Sequence, residues 1–327
     1  MFPVNPDLRT INEDGLFIVQ DEKLTSTILP LYSFSADDPN ARPDGHGTTF
    51  RIDPWSRCAT AYHVIEDLVT VSRRGEIAAH PERRLVSLEL PEVSYGINLV
   101  GPENWRGLTE LFSIFAKEEQ IFADARAKNF CELAVLRLRP NGQITNNAPY
   151  LPVRLSGWYP AAGEPVMAFG YADLDLDKKK DGDTRPIEQR LYGSRGRITQ
   201  IDPADGESSR PWPRIWVEAD WPGGMSGGPV FNAAGEVIGL VSSAFNVGER
   251  ACATFFSGWN VPQHIYGSLD ALNPGWFKVV GAFDSEGNLR VVGQGVEEVR
   301  EMARSENFEV AMVTYNPSDG SYMRPSG

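Results

Sequence analysis

The chain has 327 residues, is 41% hydrophobic and carries a formal net charge of −13. That is enough apolar material for two or three compact units, and the acidic balance excludes non-specific nucleic-acid binding, which needs a basic face. The charge alone identifies no partner, since it governs solubility and association rather than fold.

Three cysteines, Cys58, Cys131 and Cys252, stand far apart with no Cys-x-x-Cys pair, so neither a disulfide framework nor a zinc site is expected. Reduced, buried thiols and a cytoplasmic location are the expectation. The opening stretch MFPVNPDLRTINEDGLFIVQ has no basic start followed by an apolar run. No segment of about 18 apolar residues occurs either, so no secretory leader and no membrane span are expected.

In chain order, short apolar runs bounded by Gly, Pro, Asn or Asp predict strands at 15–20, 47–52, 85–90, 132–138, 165–170, 196–201, 214–219, 229–232 and 236–242. So many short strands, in a chain with 31 Gly and 24 Pro, predict a mainly β protein built as sandwiches or barrels. The segment 104–127 (NWRGLTELFSIFAKEEQIFADARA) places apolar residues at helical spacing and reads as a helical or loop insertion. The segment 173–184 (DLDLDKKKDGDT) reads as a charged, solvated loop. Its glycine and acids are out of register for a calcium loop, so no metal and no cofactor are expected. Beyond Pro274, runs at 277–283 and 289–293 flank the turn Asp284-Ser285-Glu286-Gly287-Asn288 and predict a hairpin. A helix at 295–305 and a strand at 308–315 complete a small ββαβ appendage, and the polar tail 316–327 is expected to be disordered.

The most informative string is Gly223-Gly224-Met225-Ser226-Gly227-Gly228-Pro229. A serine flanked by glycines can sit on a tight turn with its hydroxyl exposed and its N–H free. A glycine two positions earlier lets a second N–H point the same way, and two convergent donors can stabilise an oxyanion. The same string alone also fits a plain Gly-rich turn. The second string is Cys58-Ala59-Thr60-Ala61-Tyr62-His63-Val64, a strand ending on small residues that delivers an imidazole to its tip. His63 can act as the general base that a serine nucleophile needs. The other histidines, His46, His80 and His264, have no comparable context. The third string, Phe130 to Leu138, opens an apolar strand with the carboxylate of Glu132. A buried carboxylate needs a partner, and the second imidazole nitrogen is one. A strand-end Glu facing solvent is the other reading of it.

The order His, acid, Ser and the strings ATAYHV, ELAVL and GMSGGPV resemble the trypsin-like peptidase family over about 15–266. The strings AGEPVMAFGY and GEVIGL are more similar to bacterial high-temperature-requirement peptidases than to secreted digestive enzymes. The resemblance implies two six-stranded antiparallel β-barrels with the C-terminal ββαβ appendage following. His63 and Glu132 would come from an N-terminal barrel (1–150) and Ser226 from a second barrel (151–272), leaving 273–327 for appendage and tail. It further implies backbone N–H groups of Gly224 and Ser226 as oxyanion donors.

Several positions depart from the family pattern. Glu132 stands where Asp is usual, and one more methylene changes its reach, with Glu66, Asp67 and Asp124 as rivals for the acid. Met225 stands where secreted trypsins carry an Asp that binds a freshly cut N-terminal ammonium, so activity is expected without that switch. Val64 replaces the cysteine of the usual histidine-loop disulfide. The 69-residue interval from His63 to Glu132 is long, and its surplus at 102–128 reads as a lid, a regulatory element or surface decoration. Asp220, six residues before the serine, matches the pocket base of family members that cleave after Arg or Lys, with Ser242, Ser243 and Ala244 as the pocket wall. Asp220 facing water is the competing reading.

The expected function is a serine endopeptidase acting on protein or peptide substrates. The alternative is a trypsin-like fold that has lost activity and binds proteins. No nucleic-acid or membrane partner is expected, and the appendage is read as a packing element or a surface for a protein partner.

Overall fold

A computed structural model describes residues 1–38, 42–89, 102–118, 126–139, 148–172, 190–205, 210–242, 251–257, 260–262, 265, 268–303 and 308–324. Six strands close a first barrel: β1 (Ile28–Ser35), β2 (Asp44–Arg51), β3 (Arg57–Ala61), β4 (Arg83–Leu88), β5 (Trp105–Phe112) and β6 (Leu133–Leu138). Their spatial order is β6-β3-β2-β1-β4-β5, and β5 pairs back onto β6. The interior is filled by Leu29, Leu31, Phe50, Val86 and Leu136, all nearly without exposure. Closing the sheet on itself removes the open edges that such apolar strands would otherwise present.

A second barrel is built from β7 (Pro165–Gly170), β8 (Tyr192–Asp202), β9 (Arg214–Val217), β10 (Pro229–Phe231), β11 (Val237–Ser242) and β12 (Ala251–Phe255). Their order is β8-β7-β10-β11-β12-β9, with β9 returning to β8. The 11 residues of β8 make this closure. Its first half pairs with β7 and its second half with β9, across a bulge near Ile198. A short strand, Leu16–Ile18, adds to β8 from the other side, so the start of the chain is attached to the second barrel. Each run predicted from the sequence contains a strand, and the expected two-barrel architecture is present.

Two expectations are corrected. The segment 104–127 is not helical where it is described. Trp105–Phe112 is barrel strand β5, and Phe115–Glu118 pairs with Arg126–Asn129 as a hairpin. The first barrel needs a sixth strand to close, and pairing with β4 and β6 overrides helical spacing. The tail is also partly ordered, since Tyr322–Met323 pairs with Thr314 and Tyr315. The loop at 173–184 lies outside the described residues.

The appendage is a four-stranded sheet of β13 (Phe277–Phe283), β14 (Leu289–Gly293), β15 (Glu309–Tyr315) and β16 (Tyr322–Met323), in order β14-β13-β15-β16. One face carries the helix Val296–Ala303 through Val280, Ala282, Val299 and Ala303. The other joins the main core. Phe277 lies edge-on to Trp55 at 5.4 Å and to Tyr150 at 5.1 Å between ring centres. A polar link runs beside these rings. The buried Asp53 carboxylate pairs with the Arg57 guanidinium and accepts from the Trp55 N–H at 2.8 Å. Gln294 reaches the same carboxylate at 3.4 Å and accepts from Arg137 at 2.9 Å. No helix among the described residues is long and apolar enough to cross a membrane.

Phe277 is 1% exposed and joins appendage to barrel. Phe277→Ala is expected to destabilise the protein by about 3–5 kcal/mol in urea unfolding. An unchanged midpoint would show that the appendage contributes nothing to the core.

Candidate active site

Strand β3 is buried from Arg57 to Ala61 and ends on small residues, so the chain turns at once into the one-turn helix Tyr62–Ile65. His63 thereby stands at the barrel rim with its side chain 19% exposed. Strand β6 pairs Leu133 with Ala61, and the Tyr62 N–H donates to the Glu132 carbonyl at 2.6 Å. Glu132 is therefore one residue ahead of its strand, level with the histidine helix. Ser113 Oγ lies 3.2 Å from the Cys131 carbonyl and 3.1 Å from the Leu133 carbonyl, which fixes the backbone on both sides of Glu132. The Asn129 side chain supports this pin by donating to Ser113 Oγ at 3.0 Å.

The longer acid fits because its strand starts late. Glu132 Oε1 lies 2.5 Å from His63 Nδ1 and accepts from Ser242 Oγ at 2.9 Å. The residue has no exposed surface, so hydrogen bonds on Oε1 stand in for lost water. Oε2 has no partner among the described residues. With Nδ1 donating to the carboxylate, neutral His63 presents the lone pair of Nε2 at the rim, the tautomer a general base needs. Two of the rivals fall away. Glu66 and Asp67 are exposed on the next turn, and Asp124 lies outside the described residues.

The serine loop meets this rim through Gly47 and Thr48 of β2. A Cβ on Gly47 would lie 2.7 Å from the Ser226 carbonyl oxygen and 2.9 Å from Val64 Cγ1, so only glycine lets the loop approach the histidine helix this closely. The Thr48 N–H donates to the Ser226 carbonyl at 2.8 Å. Among the described residues no hydrogen bond yet joins Ser226 Oγ to the imidazole. Such contacts commonly tighten only when substrate is bound.

The Met225 N–H donates to the Pro222 carbonyl at 3.2 Å and closes a turn in which Gly224 has φ 89°. That is the left-handed third position of a type II turn, which a side chain would strain. Around it the donors of Met225, Gly227 and Gly228 are all spent on backbone carbonyls. The N–H groups of Gly224 and Ser226 make no hydrogen bond to any described residue. Two neighbouring free donors on one rigid turn can receive an oxyanion. Met225 is fully buried in the second barrel's core among apolar side chains, and its thioether cannot form an ion pair with an ammonium.

The pocket residues are placed differently from expectation. Asp220 is exposed, while the adjacent Trp221 is buried at 7%. Asp220 contributes its carbonyl, 3.5 Å from Ser194 Oγ, and its carboxylate is in water. The Ser242 hydroxyl is given to Glu132 rather than left on a pocket wall. Ser243 and Ala244 lie outside the described residues. Sequence reasoning also missed Ser113, Asn129 and Thr48. The polar pair Thr48-Thr49 inside an otherwise apolar run was the available signal for the last.

All three thiols are free and buried. Burial pushes Cys58 and Cys252 up to about 12 and raises Cys131 as well. Burial holds His46 below the usual imidazole range, against the opposing pull of Asp44, and Nε2 of its ring lies 2.8 Å from Ser33 Oγ. Among the described residues no cluster of His, Cys, Asp and Glu could hold a metal.

A family model described as trypsin-like peptidase domain matches residues 47–240, more than half of the chain. No curated protein matches the sequence. Among solved structures, a Glu endopeptidase is similar over 77% of this chain and 95% of its own, with 14% identity and a TM-score of 0.46. Deg5 is similar over 72% and 85%, with 16% identity and a TM-score of 0.43. Rv3671c from M. tuberculosis is similar over 78% and 91%, with 15% identity and a TM-score of 0.39.

Two substitutions test the geometry. Glu132→Gln keeps the size of the side chain but loses the charge that holds His63 Nδ1–H, and is expected to lower kcat about 10³- to 10⁴-fold without unfolding the protein. A loss below tenfold would remove Glu132 from the site. Asp220→Ala is expected to change kcat/KM for Lys and Arg peptides by less than about threefold, as for an exposed charge. A hundredfold loss confined to those peptides would place Asp220 in the pocket after all.

Proposed function

The chain belongs to the trypsin-like peptidase domain family, and on that footing we propose that it is a serine endopeptidase working through an acyl-enzyme. One observation carries the reading: a fully buried carboxylate orients His63 beside a turn whose two N–H donors are unspent. In the proposed reaction Ser226 Oγ attacks the peptide carbonyl while His63 Nε2 takes its proton. Glu132 stabilises the imidazolium that results. The carbonyl oxygen, now negative, is received by the N–H groups of Gly224 and Ser226. His63 then gives its proton to the departing amine, which breaks the C–N bond and leaves an ester on Ser226. Water attacks that ester with His63 again as base, releasing the acid and restoring the serine.

The exposed Asp220 supports no preference for Arg or Lys, so the proposal names none. The buried, uncharged Met225 supports activity that does not depend on a new N-terminal ammonium docked at that position. Free, buried cysteines support a reducing, cytoplasmic setting.

The alternative is a protein-binding module with the same fold. Labelling of the full-length chain by a fluorophosphonate separates the two. Stoichiometric labelling, lost in Ser226→Ala together with cleavage of a denatured protein substrate, is the expected result. An unlabelled, folded wild-type chain would leave only the binding reading.

A further inference from the structure

The nucleophile loop belongs to the second barrel, yet its backbone is held by one residue of the first. Thr48, on β2, is fully buried and uses every polar atom. Its N–H donates to the Ser226 carbonyl at 2.8 Å, and its Oγ1 donates to the Gly224 carbonyl at 2.8 Å. Oγ1 also accepts from the Tyr171 N–H at 2.9 Å. Its own carbonyl accepts from Thr60 Oγ1 at 2.7 Å. The Tyr171 N–H can only donate, so it occupies a lone pair of the hydroxyl. The hydroxyl proton is thereby directed to the Gly224 carbonyl, and its rotor has one setting.

The consequence lies in the three peptide groups between Gly224 and Gly227. The Gly224–Met225 group is held at its N–H by the Pro222 carbonyl and at its C=O by Thr48. The Met225–Ser226 group is held at its C=O by the Gly228 N–H at 2.9 Å. The Ser226–Gly227 group is held at its C=O by Thr48 and at its N–H by Val241. Thr48 therefore fixes two of the three. The turn that aims the Gly224 N–H cannot rotate its next peptide without breaking the Thr48 bond, and glycine at that position offers no steric resistance of its own.

We propose that Thr48 is the positioning residue of the oxyanion hole, locking the hole's turn in its receiving orientation from across the barrel interface. This rests on the peptidase reading above. It implies that the hole is complete only while the two barrels are docked at β2.

The test uses the rate of fluorophosphonate labelling, resolved into initial binding and covalent step, on full-length protein. The covalent step builds a negatively charged oxygen in the hole, whereas initial binding does not. Thr48→Val, the isosteric change, removes the hydroxyl and is expected to slow the covalent step about tenfold to a hundredfold, less than loss of a whole donor. Initial binding should change less than about threefold, since it makes no use of the hole. Thr48→Ser keeps the hydroxyl and should label within about threefold of the wild-type rate. Thr48→Ala, which removes the hydroxyl without any risk of overpacking, replaces Thr48→Val if the valine variant fails to fold. A wild-type covalent rate in a folded variant lacking the hydroxyl would overturn the proposal. So would a serine variant as slow as the alanine one, which would assign the effect to the lost methyl. If the wild-type chain shows no labelling dependent on Ser226, the peptidase reading fails first and this inference with it.

Discussion

The structure turns on the carboxylate of Glu132. It has no exposed surface, and a charge removed from water must find its hydrogen bonds inside the protein. One partner, His63, comes from the same barrel, and the other, Ser242, ends strand β11 of the second barrel. Satisfying its Oε1 therefore requires the two barrels to be docked. The requirement is local in chemistry and global in consequence, because separating the barrels would leave the acid with an imidazole alone. Truncating a partner of such a buried charge is costly, since the charge that remains cannot rehydrate.

The same interface is tied a second time, by neutral groups. Thr48 and Tyr171 come from different barrels and are joined by the Thr48 hydroxyl, while the Tyr171 hydroxyl donates to the Ile28 carbonyl of β1 at 2.9 Å. These bonds are buried, so each is expensive to leave unmade even though its net stabilisation is modest. The acid tie sets the imidazole, and the threonine tie sets the serine loop. Neither barrel alone contains a finished site, which is why the proposed chemistry belongs to the pair.

Much of this was legible because the sequence states it locally. Short apolar runs between turn formers marked the strands, and Gly223 to Pro229 carried the glycine-flanked serine loop in consecutive residues. The appendage was equally plain, since its hairpin turn, amphipathic helix and last strand follow in order. The rest was not local. Strand β5 hides in a segment whose apolar residues also fit a helix, and only its place between β4 and β6 decides the matter. Strands β1 and β12 were not read from the sequence and are defined by what they pair with. The role of Ser242 could not be read from its neighbours, because its partner lies 110 residues earlier in the chain.

Asp220 shows what spacing leaves open, namely side-chain direction. Counting back from Ser226 puts it at the right distance for a pocket base, but counting does not say which of two adjacent residues turns inward. Trp221 packs into the core of the second barrel with Met225, and burying so large an aromatic side chain is worth about 2–3 kcal/mol. Burying Asp220 instead would need a counter-charge, and the group facing that backbone is the neutral Ser194 hydroxyl. The carboxylate's need for a counter-charge decides the arrangement observed, with the indole inside although its N–H finds no partner among the described residues, and the carboxylate in water. The turn that follows, the proposed oxyanion hole, is thus anchored on apolar packing at Trp221 and Met225. Its order derives from the core beneath it and from Thr48 across the interface.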